Sequence, residues 1–235
     1  MFSPRSRANE LLDQIYVAVE QADVLVLNGD IFDFGGTELP SIAATVSEAM
    51  NWLNDLVQRF PEVKIHYLLG NHDYHKQFLE VVRPWAELTP RFTLHEYFLR
   101  LGDTLFVHGD CVNYKMTAAH LMKSRKVWLH DRKKHGTFHR GVEWADSLGA
   151  TRAAHRLIFR RHKVIERLLH YINDLHPGLL EEIHHVYFGH THLAFTDFEH
   201  EGIYFHNTGS AINRREFNML TFEFTAQHEQ EVEQN

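Results

Sequence analysis

The chain has 235 residues, 44% of them hydrophobic, and its 24 lysines and arginines stand against 31 aspartates and glutamates for a formal net charge of -7. That composition suffices for one sizeable core, expected as a single domain over 1–235, and no apolar run is long enough to cross a bilayer. The lone cysteine, Cys111, excludes an intrachain disulfide, so the expected setting is the reducing cytoplasm, with peripheral contact at a membrane surface left open.

In chain order, the apolar spacing of Leu11, Leu12, Ile15, Val17 and Val19 predicts a helix over 7–21. Val24-Leu25-Val26-Leu27 then reads as a buried strand that ends abruptly at Asn28-Gly29-Asp30. A longer helix is expected over 41–60, opened by Pro40-Ser41 and stopped by Pro61. A second strand, 63–69, ends in Gly70-Asn71-His72-Asp73, and a short helix over 75–82 follows, for which Asp73 could serve as N-cap. Residues 93–99 and 104–107 are expected to form a hairpin around Leu101-Gly102-Asp103, and its second strand ends in Val107-His108-Gly109-Asp110. From 113 to 176 the pattern turns helical, with fourteen lysines and arginines against five acidic residues, and an amphipathic basic helix is expected over 152–172. Strand signals resume at 184–188, which ends in Gly189-His190-Thr191-His192, and continue at 194–198, 203–206 and 219–225 before a frayed tail from 227. The eight histidines of the basic segment lack the spacing of a closed zinc site and are assigned to surface and packing.

Four strands thus end in a potential metal ligand. Singly, each has a bland explanation: Asn-His makes a turn, a buried histidine can be a hydrogen-bonded core residue, and His-x-His can alternate across a strand. Jointly they share one structural address, the carboxyl end of a strand, where open α/β sheets bind ligands. An aspartate, an asparagine and histidines suit a borderline divalent ion such as manganese, iron or zinc, and suit calcium poorly.

The ordered series Gly29-Asp30-x-x-Asp33, Gly70-Asn71-His72-Asp73, His108-Gly109-Asp110 and Gly189-His190-x-His192 resembles the calcineurin-like metallophosphoesterase superfamily, over residues 24 to about 212. The resemblance implies an α/β fold, a four-layer α/β/β/α sandwich of two facing mixed sheets with a binuclear metal centre at one edge. By the same resemblance Asp30 bridges two metals, Asn71, His108 and His190 complete the ligands of one, and His192 contributes to the other. Asn207-Thr208-Gly209-Ser210 resembles a further family turn. The implied reaction is hydrolysis of a phosphoester or pyrophosphate by a metal-bound hydroxide, with His72 donating a proton to the leaving group and Asp73 fixing its tautomer and charge. Asp33 is expected either to orient the loop or a ligand, or simply to close an Asx turn.

The family's opening Asp-x-His motif has no counterpart before Asp30, where the chain reads Met1-Phe2-Ser3-Pro4. One metal position then has Asp30, Asn71, His108 and His190, and the other only Asp30 and His192. Two expectations follow: a one-metal or inactive relative, or a longer physiological product in which an apolar strand ending in Asp-x-His precedes Phe2.

The segment 113–176 is expected to form a helical basic cap over the metal edge that receives an anionic phosphorylated substrate, with Arg160 and Arg161 as its binding cations. Such a cap after the His-Gly-Asp turn is similar to that of UDP-2,3-diacylglucosamine hydrolases, which cleave a pyrophosphate at the membrane surface. Those enzymes typically carry arginine where this chain has His72, and a different sequence from Ile31-Phe32-Asp33-Phe34-Gly35-Gly36, so that substrate stands as an alternative. A nuclease or nucleic-acid-binding module using the basic block ranks lower, because the block shows no aromatic stacking pattern. A noncatalytic partner-binding scaffold is the third alternative, which metal content would separate from an enzyme.

Overall fold

The computed structural model describes residues 1–133, 159–212 and 215–223. Its first sheet contains the two apolar runs that end in aspartate and asparagine motifs. β1 (Val24–Asn28), β2 (Lys64–Leu68) and β3 (Phe92–His95) are all parallel, in the order β1-β2-β3. Helices α1 (Ala8–Val19), α2 (Ile42–Arg59) and α3 (Lys76–Leu88) accompany them. Ser41 caps α2 by accepting the Ala44 N–H, as the Pro40-Ser41 signal predicts. The second sheet runs β4-β5-β6-β8-β7, from Phe98–Leu101, Thr104–Val107, His185–Phe188, Ile203–Asn207 and Phe195–His200. Its centre is parallel and its two edge strands, β4 and β7, are antiparallel to their neighbours. Helices α4 (Ala118–Arg125), α5 (Arg161–Leu175) and α6 (Leu179–Glu182) belong to this half.

The two-residue period of the strands sorts the apolar side chains into three layers. Leu27, Ile65 and Tyr67 join the residues of α2 and α3, including Leu53, Phe78 and Val82, in one cluster. Leu105, Val107, Val186, Phe188 and Phe205 join Ile165, Leu168 and Ile172 of α5 in another. Between the sheets lie Leu68, Leu99, Leu101, Phe106 and Tyr187, with Val24 and Val26 packed against them. The architecture is therefore an α/β/β/α sandwich. Helix α5 covers the second sheet, so this part of the 113–176 segment is also a wall of the sandwich.

Four local expectations are corrected. The run 93–99 is no single hairpin strand: β3 pairs with β2 in the first sheet and β4 pairs with β5 in the second. The break falls at Glu96-Tyr97, where Glu96 is held by Arg83, by the Tyr74 hydroxyl and, through its carbonyl, by Arg125. Helix α3 runs past the expected end at 82 to Leu88, with Pro84 inside. Pro84 lies on the exposed side, where water can satisfy the carbonyl it leaves unpaired, while Phe78, Leu79, Val82 and Ala86 keep the buried face continuous. The N-cap of α3 is His75, whose side chain accepts the Gln77 N–H, and not Asp73. Finally, 219–223 is not a strand: Leu220 and Phe222 fill the layer between the sheets by side-chain packing without joining a ladder. Of the helix expected over 152–172, α5 accounts for the portion from Arg161, and 152–158 lies outside the described residues, as do 224–225 of the last expected strand and the tail. No helix among the described residues is long and apolar enough to cross a membrane.

Candidate metal centre

The parallel strands of both sheets end at one edge, and Asn28 joins the two sheets there. Its side-chain N–H2 donates to Val107 O at 3.2 Å, and its carbonyl faces His108 Nδ1 at 3.1 Å. A carbonyl only accepts, so Nδ1 carries the hydrogen and Nε2 of His108 is turned toward Asp30, 3.2 Å from Oδ2. Asp30 follows Gly29 and has φ +53°, a left-handed conformation that swings its carboxylate under the edge. Its Oδ1 accepts the His72 N–H at 2.8 Å. Gly70 is required here, because a Cβ at that position would overlap the Asp30 carboxylate. Burial alone would raise the Asp30 pKa, but His108 and His72 outweigh it and hold the carboxyl well below its usual range. Asp30 is a carboxylate.

His190, also left-handed at φ +60°, brings a second imidazole to this point, its ring 5.3 Å from that of His108. Ligand atoms of Asp30, His108 and His190 all lie within 4.8 Å of one another. Burial, then the neighbouring His108, pushes the His190 pKa down to about 4, which leaves the ring neutral as a metal ligand must be. Among the described residues, neither the buried Asn71 Oδ1 on the adjoining loop nor, despite its approach to Asp30, the buried His108 Nε2 has a hydrogen-bond partner. Leaving such atoms unpaired costs about 1–3 kcal/mol each, a cost that a coordinated cation would offset. The donor set and these orphaned atoms fit a borderline divalent ion. His192 is not part of this group, and among the described residues no second cluster of three such side chains occurs.

The model for calcineurin-like phosphoesterases matches residues 3–194. The chain belongs to this family. Neither the curated proteins nor the solved structures gave a match. Calcineurin-like phosphoesterases are metal-dependent phosphoester hydrolases, and the triad at the sheet edge is consistent with that class.

The structure reassigns the carboxylate beside the expected acid of this phosphoesterase. His72 Nδ1 lies 3.2 Å from Asp33 Oδ1, whereas Asp73 directs its oxygens at the Phe32 N–H (2.9 Å) and the Gly70 N–H (3.0 Å). Adjacent residues on a tight loop point apart, so Asp73 ties the loops of Asp30 and Asn71 together while Asp33 meets the ring. Asp33 also closes the expected turn by accepting the Gly36 N–H at 2.7 Å. Arg161 stacks its guanidinium over the rings of Phe195 and Phe198, at 4.7 and 5.1 Å, while Arg160 is exposed at the start of α5.

The contacts that brace the motif residues escape a reading by motif. Asp110 forms a buried bidentate pair with Arg125 of α4, at 2.8 Å for both contacts, which fixes the turn after His108. Burial would raise the Asp110 pKa, but the Arg125 guanidinium holds it below the usual carboxylate range. Arg125 follows the buried Leu121 by four residues, so its place on the inward stripe of α4 was the available signal. Asn207 holds the Gly189–His192 loop by donating to Gly189 O (3.0 Å) and Thr191 Oγ1 (3.1 Å). The described ends of the basic segment reach the site from two sides: Trp128 packs 4.8 Å from the His72 ring, and Phe159 lies 6.2 Å from that of His190.

Proposed function

We propose that this phosphoesterase hydrolyses a phosphoester or pyrophosphate bond of an anionic substrate, with Asp30, Asn71, His108 and His190 holding the catalytic cation. The observation that carries the reading is the convergence of Asp30, His108 and His190 within 4.8 Å at an edge where His72 donates its backbone N–H to the same Asp30 carboxylate. A bound manganese, iron or zinc ion would supply Lewis acidity, neutralising phosphoryl oxygens and activating water. A second ion would be held by Asp30 and His192. The chain's own part is proton management. In the imidazolium form His72 would donate Nδ1–H to Asp33 and Nε2–H to the leaving group. As the water oxygen bonds to phosphorus and loses a proton to solvent, the P–O bond to the leaving group breaks and the departing oxygen takes the Nε2 proton. Asp73 serves this step indirectly, by holding the loops of Asp30 and His72 in register.

Purified protein with added manganese should hydrolyse at least one of p-nitrophenyl phosphate, bis(p-nitrophenyl) phosphate and a nucleoside diphosphate conjugate. His72→Ala should lower turnover about a hundredfold on a poor leaving group while keeping manganese affinity, because general acid assistance is lost and the ligands remain. Metal binding without manganese-dependent hydrolysis of any of the three would favour a noncatalytic relative and overturn the reading.

A further inference from the structure

Asn113 is the first residue beyond the short helical turn Asp110–Val112, at the start of the basic segment. Its side-chain Oδ1 lies 2.9 Å from His190 Nε2. Its backbone is held from the other side, since Arg167 Nη1 of α5 donates to Val112 O (2.7 Å) and Asn113 O (3.2 Å). The asparagine is thus exposed but anchored at both ends. A carboxamide oxygen accepts and cannot donate, so the hydrogen of this bond belongs to Nε2 of His190, and the ring's lone pair is on Nδ1. His108 is arranged the opposite way, with Nδ1–H given to Asn28 O and Nε2 toward Asp30.

We propose that Asn113 is a positioning residue that selects the Nε2–H tautomer of His190, so that the metal centre takes His190 through Nδ1 and His108 through Nε2. The inference rests on the reading of His190 as a metal ligand and assigns the basic segment a task beyond receiving substrate. Hydrogen bonding of the remote ring nitrogen orients a ligating histidine and raises its basicity, and losing such a partner typically costs about 10–100-fold in metal affinity. Because this bond is exposed, the lower end of that range applies. Arg167, by fixing the Asn113 backbone, links α5 to the same ring.

The test uses the full chain, labelled with 15N-histidine, with His190→Gln identifying the His190 signals. Long-range 1H–15N correlation should show the Nε2–H tautomer in the wild type, and its loss in Asn113→Leu, which keeps the volume without the acceptor. Manganese titration should give about tenfold weaker binding for Asn113→Leu, and binding no weaker than wild type for Asn113→Asp, which restores the acceptor. The thermal midpoint should be the same in all three, since the side chain is exposed. A wild-type Nδ1–H tautomer, or equal manganese affinity in wild type and Asn113→Leu, overturns the assignment of Asn113 alone. A wild type that takes up no manganese defeats the metal reading of His190, and the proposal falls with it.

Discussion

The two sides of the metal edge are braced by opposite means. On the first sheet, loops 29–36 and 70–73 hold one another by placing backbone N–H groups on carboxylates: His72 on Asp30, Phe32 and Gly70 on Asp73, and Gly36 on Asp33. On the second sheet, the turns after β5 and β6 rely on side chains sent from elsewhere, Arg125 of α4 on Asp110, Arg167 of α5 behind Asn113, and Asn207 of β8 on Gly189. The first side is a closed backbone construction that carries the carboxylate and the expected acid. The second holds the imidazoles of His108 and His190 in positions that depend on the helices packed over it.

Arg125→Met should therefore have the largest effect on folding, about 3–5 kcal/mol by denaturant unfolding at neutral pH, because it leaves Asp110 charged and buried alone. The folded Asp110 pKa lies below its ordinary value, so the pair's contribution is present above pH ~4 and is lost as pH falls through the folded value; the stability curves of the wild type and the Arg125→Met variant should converge there. Parallel curves would show that the pair is not what braces this side. On the carboxylate side, Asp73→Ala removes the acceptor of two buried N–H groups and should cost about 2–4 kcal/mol by denaturant unfolding at neutral pH. A change below about 1 kcal/mol would mean that the loops have another brace.

A smaller, pH-dependent effect is expected on the first sheet. His95, at the end of β3, pairs with His66 at 3.0 Å, and burial, then His66, lowers its pKa to about 4. Its unfolded value is ordinary, so its contribution is fully present above pH ~6.5 and declines as pH falls through about 4, by about 2–3 kcal/mol in all. His95→Gln should flatten the wild-type slope in that window, and an unchanged slope would exclude His95 as its source. The smallest effect is expected from Arg160→Gln with Arg161→Gln. If these cations meet the substrate, the KM for an anionic substrate should rise about threefold to tenfold, with kcat for p-nitrophenyl phosphate unchanged. If Arg161 serves only its stacking on Phe195 and Phe198, both constants stay put.

The candidate ligands were easy to single out because each sits where an apolar run meets a glycine turn: Asp30 after Gly29, Asn71 after Gly70, His190 after Gly189, and His108 directly before Gly109. The strands before them were legible for the same reason. What failed to show was decided at long range. Glu96-Tyr97 contains no glycine or proline, yet the chain changes sheets there because Arg83, Tyr74 and Arg125 converge on Glu96. The short helix expected over 75–82 continues past Pro84 because four buried side chains on the other face keep α3 packed. Adjacency suggested Asp73 as the partner of His72; the fold brings Asp33 across 39 positions instead. Alternation over 219–225 suggested a strand, and Leu220 and Phe222 do turn inward, but through 219–223 they join no neighbouring ladder.

The central claim is that Asp30, His108 and His190 hold a divalent cation at this edge. Calorimetric titration of manganese into the wild type and into Asp30→Asn, with circular dichroism confirming that both are folded, tests it most directly. Saturable binding in the wild type that weakens by at least about a hundredfold in Asp30→Asn is the expected result, since the variant loses the carboxylate charge at the point where the imidazoles converge. Manganese binding of equal strength in the two folded proteins, or none in the wild type, would contradict it.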